Sequence, residues 1–330
     1  MKHQSVLTLA PLRISFIGGG TDIRSFYSMY PGKVISAAIN KYVYVHIKKH
    51  DPLFQERFRI SYSQVEHTES RNQIKNGIVR SCLELLEIDE PLQISTSADL
   101  PASSGLGSSS TFTTALLQGL HSLNGRKVTA KQLAEEASHV EIEILKEPIG
   151  KQDQYAAAFG GLNYCEFNAN EKVKIEHLET SLNFIEKLFK NSCLIWTGET
   201  RSASSILKRQ EKNAKNNFEN LRKLTDLTMQ FKKALNSKTP DLNVLGSIIK
   251  SGWEIKQSLS TSVNTLESQK IIYELEELNC AGYKLLGAGG GGFVYAIFNG
   301  SSSNYSKKFP TRRVLYPKLD TAGARTLSLI

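Results

Sequence analysis

The 330-residue chain lacks any cysteine or histidine pattern for metal binding or redox chemistry. Its four cysteines, Cys82, Cys165, Cys193 and Cys280, stand far apart within mostly apolar segments, and no CxxC pair occurs. This argues against a thiolate zinc site or a disulfide framework and predicts reduced cysteines in a cytoplasmic protein. The seven histidines show no ligand spacing. No apolar run is long enough to span a bilayer, so no membrane association is expected. The opening "MKHQSVLTLAPLRISF" has neither the apolar core nor the cleavage site of a secretion signal. Low-complexity linkers and fixed-period repeats are absent as well. What is there is ordinary for a folded domain: 40% hydrophobic and 22% charged residues. The formal charge of +9 fits an anionic partner, with nucleic acid, an acidic surface and a phosphorylated small molecule all open.

Along the chain, strand and helix patterns alternate. Residues 6–17 and 33–48 read as strands, the second carrying the alternating "YVYVHI". A helix is predicted over 71–88, with Ile74, Ile78, Cys82, Leu85 and Leu86 on one stripe, and a short strand over 92–97. Helices over 109–123 and 129–146 follow, then a third after Pro148 and a strand over 160–167. A division is placed at 190/191. Beyond it, "SCLIW" reads as a strand, residues 202–235, 241–259 and 265–281 as helices, and 283–298 as strand, glycine loop, strand.

Three glycine clusters demand a reason. "SSGLGSSS", residues 103–110, packs five serines and two glycines into eight positions between a strand and the periodic Phe112, Leu116, Leu120 and Leu123. Small residues let a backbone approach a ligand, and free amides at a helix start attract anions. The segment is therefore read as a phosphate cradle over a serine-capped helix alone. It is not a P-loop, which needs a lysine. "GAGGGG", residues 287–292, satisfies GxGxxG, but "FVYAIF" follows where a dinucleotide fold needs a helix. It is read as a second backbone cradle, with a flexible hairpin turn the plainer alternative. "GGGTD", residues 18–22, is explained equally well by a turn capped by Asp22.

Two carboxylates complete the pattern. In the helix from Thr129 the apolar stripe is Leu133, Ala134, Ala137, Ile144 and Leu145, and Glu141 falls in its middle, with Glu136 and Glu143 nearly opposite. Asp153 likewise aligns with Ile149, Ala156 and Ala157. An inward acid needs a cation, a metal or a hydrogen-bond network. Two of them beside a phosphate cradle suggest a metal-and-base pair.

Together "APLRISFIGGGTD", "PASSGLGSSS", "GKQDQYAAAFGG" and "KLLGAGGGGF" resemble, in order, the motifs of the GHMP kinases, the superfamily of galacto-, homoserine, mevalonate and phosphomevalonate kinases. The resemblance spans residues 10–293. It implies an α+β fold of two parts: a ribosomal-protein-like N-terminal domain (1–190) and a ferredoxin-like C-terminal domain (191–330), with ATP and substrate between them. It also implies that Pro101, Ser103, Ser104, Gly105, Leu106, Gly107, Ser108, Ser109 and Ser110 wrap the triphosphate. Ser109 and Glu141 match the family's Mg²⁺ ligands, Asp153 its aspartate and Arg13 the cation of its first motif. Most sugar kinases of the family have glycine at the position of Leu12, an acidic–histidine pair at Gly19 and Gly20, and alanine at Ser110.

These departures, with "TGETRSASSIL", look most like the branch of heptose 7-phosphate kinases. Those phosphorylate the C1 hydroxyl of D-glycero-D-manno-heptose 7-phosphate, toward GDP-heptose for bacterial surface polysaccharide. On that resemblance the substrate site is expected to include Gly18, Gly19, Gly20, Thr21, Asp22, Gly289, Gly290 and Gly291, with Lys151 and Arg201 as candidates for the terminal phosphate. A solvated surface position is the plainer reading of Lys151. L-fucose or another unphosphorylated sugar is the nearest rival substrate. A decarboxylase on the same fold and a basic nucleic-acid binder are rival classes. The binder leaves the inward acids unexplained.

Overall fold

The structure, a computed structural model, describes residues 3–200, 217–259, 264–300 and 302–329. Its centre is one long hairpin. β1 (Ser5–Ile17) pairs antiparallel with the 18-residue β2 (Gly32–Lys49). β2 is long enough to serve two further neighbours, β5 (Leu92–Ala98) along its second half and β6 (Leu162–Phe167) along its first. β3 (Phe58–Ser61) adds parallel to β5 and carries β4 (Val65–Thr68), while β7 (Val173–His177) pairs with β6. A second, four-stranded antiparallel sheet holds β8 (Ser192–Trp196), β9 (Gly282–Leu285), β10 (Phe293–Ile297) and β11 (Val314–Leu315) in the order β11-β8-β10-β9. β12 (Arg325–Leu329) returns to the first sheet, on the free side of β1. The last strand therefore departs from a strict 190/191 division, because β1 would otherwise present an open edge.

β1 is buried along nearly its whole length, and its two ends feed two different cores. Val6 and Ala10 join β2, β5 and the helices α2 (Gly77–Leu85), α3 (Ser108–Leu123) and α4 (Ala130–Ser138), which follow the single turn α1 (Arg24–Tyr27). Leu12, Ile14 and Phe16 join residues of both sheets. Phe16 stacks on Phe231 at 5.8 Å and meets Tyr295 edge-on at 5.4 Å. Buried aromatic pairs of this kind add about 0.5–1.5 kcal/mol beyond area burial. Phe231 lies on α7 (Phe218–Leu235), which follows α5 (Gln152–Phe159) and α6 (Leu182–Lys190). The two sheets thus share one core at the end of β1, where the register shifts between Pro11 and Arg13 and again between Ser15 and Ile17. Such bulges re-aim side chains beside functional sites.

Two expected helices are broken. The first opens as a 3₁₀ turn, Arg71–Gln73, and restarts at Gly77 because Asn76 accepts from the Val79 amide. Glu66 meanwhile takes the Lys75 and Asn76 amides out of the helical ladder. The second stops being α-helical at Ser138 and continues as a π-helix, His139–Ile144, that contains Glu141. Inserted π turns commonly mark functional sites. Glu136 is not simply solvated: it meets His121 at 2.7 Å. The helix expected over 202–235 is described from Phe218 onward, and its earlier residues lie outside the described set.

Helix α8 (Leu242–Ser258) is capped by Asp241, and α9 (Leu266–Glu277) by the Thr265–Ser268 capping box. α8 lies against β9 at a contact where neither backbone tolerates a side chain. A Cβ on Gly246 would stand 2.4 Å from the Ala281 carbonyl, and one on Gly282 would stand 2.1 Å from the Gly246 oxygen. Overpacking a contact of this kind costs about 1–3 kcal/mol. Gly246→Ala is accordingly expected to lower the unfolding free energy by an amount in that range, read from equilibrium urea denaturation. An unchanged midpoint would mean that the helix slides away freely.

Candidate active site

A cavity of about 300 Å³ opens where β1, α3, α5 and the β9–β10 loop converge. Arg13, thrown out of register by the first bulge, is its organising side chain. Its Nε and Nη2 donate to the two carboxylate oxygens of Asp153, each at 2.8 Å, and Nη1 donates to the Gly105 carbonyl at 2.6 Å. One guanidinium thus ties a strand, a helix start and the serine–glycine loop together, in the bidentate geometry that a lysine cannot reproduce.

The loop itself needs its glycines. Gly105 and Gly107 sit at φ of 82° and 79°, where side chains are strained. A Cβ on Gly107 would also stand 2.9 Å from Asp153 Oδ2, so the aspartate lies directly against the start of α3. Gly107 caps α3, and the amides of its first turn have no partner within the helix, which makes that end an anion site. Ser103, Gly105, Gly107, Ser108, Ser109 and Ser110 line the cavity. Pro101 is exposed, Leu106 is packed in the core, and Ser104 is fully buried with its hydroxyl unpartnered, so these three support the loop rather than face the cavity.

Glu141 is 1% exposed yet lines the cavity. Its oxygens accept from Ser109 Oγ at 2.9 Å and Gln154 Nε2 at 2.7 Å, both neutral donors. Gln154 also donates to Ser110 Oγ at 3.0 Å, which gives the departure at Ser110 a function in the network. Burial pushes the Glu141 carboxyl up to about 7. A buried acid with only neutral partners at a cavity wall has an unmet demand for a cation. A hard-oxygen pair, carboxylate and hydroxyl, suits Mg²⁺, which takes few protein ligands and completes its shell with phosphate and water. No group of three or more His, Cys, Asp or Glu side chains fit for a metal exists among the described residues, consistent with so lean a set.

The expected substrate segment is split by the structure. Gly19, Gly20 and Asp22 line the cavity. Asp22 accepts from the Gly20 amide at 2.9 Å and from the Gln152 amide at 3.2 Å, and burial pushes its carboxyl upward. Gly150 must lack a side chain, since its Cβ would fall 1.9 Å from Asp22 Oδ2. Thr21 and Gly18 are corrections. The Thr21 hydroxyl is fully buried and bonds the Gly18 and Lys33 carbonyls, and Gly18 packs on Lys33, so both build the turn. Lys151 is also a correction: its ammonium is paired with Glu171 and sits over the Tyr27 ring, turned away from the cavity. Arg201 lies outside the described residues.

In the β9–β10 loop, Gly289 and Gly291 face the cavity and Gly290 does not. The loop is less a second cradle than a backbone joint. A Cβ on Gly287 would lie 2.6 Å from the Gly105 Cα, and one on Gly292 would lie 2.3 Å from the Ser104 oxygen.

Sequence reasoning missed Gln152, Gln154 and, above all, Lys256 and Lys284. Both lysines are buried and line the cavity. Lys256 Nζ donates to the Gly287 carbonyl at 2.5 Å and Lys284 Nζ to the Phe16 carbonyl at 3.2 Å. Burial lowers Lys256 to about 8, helped by the nearby Arg13 charge, and takes Lys284 well below its ordinary value. Lys284 could have been noticed as a charged residue inside the apolar strand pattern "YKLL".

A cleft of this size takes small molecules, and an aspartate held by an arginine against an anion-binding helix start suits moving a phosphoryl group between two of them; the class is that of small-molecule kinases. The description "GHMP kinases N terminal domain" matches residues 74–161 and "GHMP kinases C terminal" matches residues 231–309. D-glycero-alpha-D-manno-heptose 7-phosphate kinase of Campylobacter jejuni is 31% identical over 304 residues, covering 88% of this chain and 89% of that protein. Galactokinase of Thermotoga maritima is 24% identical, covering 87% and 88%. A solved D-glycero-D-manno-heptose 1-phosphate kinase from Bacteroides thetaiotaomicron shares the fold with a TM-score of 0.80 at 23% identity, over 98% of this chain and 99% of that one. The chain belongs to the GHMP kinases, a family of ATP-using phosphotransferases, and has their two-domain fold.

The lowered Lys256 carries a stability signature. Between about 8 and its unfolded value of 10.5 the unfolded chain binds more protons than the native one at this site, so its contribution to stability rises with pH. Below 8 the cost of burying the charge is fully present. Lys256→Met should therefore be more stable than the parent at pH 7, with the gap in thermal midpoint narrowing from pH 8 to 10.5. A gap independent of pH would show that this ammonium is not desolvated.

Proposed function

We propose that the chain is a cytoplasmic kinase transferring the γ-phosphoryl group of ATP to the anomeric C1 hydroxyl of D-glycero-D-manno-heptose 7-phosphate, toward an activated heptose for surface polysaccharide. The observation that carries the transferase reading is the bidentate Arg13–Asp153 pair set against the first turn of α3. The choice of sugar is supported by the relative that is 31% identical over most of both chains. The room left at Gly19 and Gly20 supports it too.

In this reading the amides of residues 105–109 hold the triphosphate and offset charge that builds during transfer. Asp153, held in place by Arg13, orients the acceptor hydroxyl and accepts its proton as the oxygen bonds to the γ-phosphorus and ADP departs. Ser109 and Glu141 would hold Mg²⁺, which would supply charge neutralisation to the triphosphate. Asp22 and Gln152 form the wall on which sugar hydroxyls bind.

Asp153→Asn keeps the shape of the side chain and removes its charge. It should fold and bind ATP while kcat falls about 10²- to 10⁴-fold, the range for loss of a general base. Turnover within a few-fold of the parent would demote Asp153 to a structural partner of Arg13. Substrate identity is tested by following ADP release across sugars with and without a terminal phosphate. A preference for an unphosphorylated sugar such as L-fucose would overturn the heptose phosphate assignment.

A further inference from the structure

Lysine carries three donors and a charge, and burying an ammonium without a counter-charge costs several kcal/mol. Lys256 and Lys284 each spend one donor on a carbonyl and, among the described residues, neither forms an ion pair with a carboxylate. A neutral donor could have bridged Gly287 or Phe16 without that penalty. The fold nevertheless presses both lysines into the wall. Gly252, one turn before Lys256, lets α8 close onto Ile17, whose side chain a Cβ would meet at 2.2 Å. The Gly246–Gly282 contact holds the same helix against the strand that bears Lys284.

Lys284 reaches the Phe16 carbonyl, on the strand that leads into the Gly19–Gly20–Asp22 wall. Lys256 holds the Gly287 carbonyl of the loop that packs on Gly105, and lies within the field of Arg13 as well as of Asp22 and Asp153. The cradle already has the helix start and Glu141 with Ser109 on its own side. The geometry points to Lys256 and Lys284 as the paired receptor for the terminal phosphate of a phosphorylated sugar, the two residues that set preference for a phosphosugar over its unphosphorylated analogue. This rests on the sugar-phosphate reading above. It assigns to α8 and β9 what Lys151, already committed to Glu171, has no free charge to do.

The test is the ratio of kcat/KM for heptose 7-phosphate to that for the same heptose without its phosphate. It is measured for the full chain and for Lys256→Met, Lys284→Met and the double variant, with KM for ATP followed in parallel. Met preserves length and suits a buried site. Lys256→Gln and Lys284→Gln, which keep a donor and lose the charge, serve where a Met variant does not fold. Each single change is expected to lower the ratio by about 10- to 100-fold, the worth of one charge-assisted hydrogen bond, mainly through KM for the phosphosugar. A parent that prefers the phosphosugar with variants whose ratio stays within three-fold overturns the lysine assignment and leaves the sugar-phosphate reading standing. A rise in KM for ATP with the ratio intact assigns the pair to the nucleotide instead. A parent without preference overturns both.

Discussion

A guanidinium buried as deeply as that of Arg13 has to be answered in full, and the way it is answered fixes the site. Two of its N–H groups go to one carboxylate and a third to a loop carbonyl, so β1, α5 and the serine–glycine loop cannot move independently. The same bonds hold the Asp153 carboxylate against a glycine that has no side chain to push it away. A carboxylate beside a reacting hydroxyl is useful only if it is aimed before the substrate arrives, and this single contact fixes its aim.

Four other ionisable groups at the cavity are treated in the opposite way. Glu141 has neutral donors, Asp22 has amides, and the two lysines have one carbonyl each. Each arrangement leaves a charge, or the option of one, without a counter-charge from the protein. In a low-dielectric cleft that is a standing cost to stability, and burial shifts the groups accordingly. Perturbed ionisable groups gathered in one cleft mark functional sites because ligands supply the missing complement. The site is therefore tense when unliganded, and binding energy is available to draw two substrates into one position.

Much of this is legible in the residues, and the failures share a cause. The inward face of Glu141 follows from helical spacing, and its burial agrees even though the helix widens into a π turn there. The cradle is legible because five serines and two glycines in eight positions exceed what a capped turn requires. Thr21 and Lys151 mislead because a polar residue beside a motif has the same composition whether it faces a ligand or a neighbouring backbone. Only the approach of Lys33 and Glu171, residues distant in sequence, decides it. Lys256 is invisible for the same reason, since the periodicity of its helix gives no hint of the cavity. Lys284 stands out as a charge within an apolar strand, but nothing local to it tells which cavity it faces. β12 cannot be foreseen either, since its pairing with β1 joins residues more than 300 positions apart.

The glycines of the β9–β10 loop show how one sequence pattern serves different ends. GxGxxG in a dinucleotide fold lets a backbone reach a pyrophosphate. Here Gly287 and Gly292 let one loop reach another, with Gly105 and Ser104 as the surfaces touched, while Gly289 and Gly291 leave the cavity wall bare. The requirement is identical, absence of a Cβ, so the pattern alone cannot say which partner approaches. The consequence is mechanical. The joint fastens the second sheet, with Lys256 bonded to its Gly287 carbonyl, directly to the loop that Arg13 holds. The cation pair and the anion-binding helix start are thereby kept at a fixed separation, which two substrates lined up for phosphoryl transfer require.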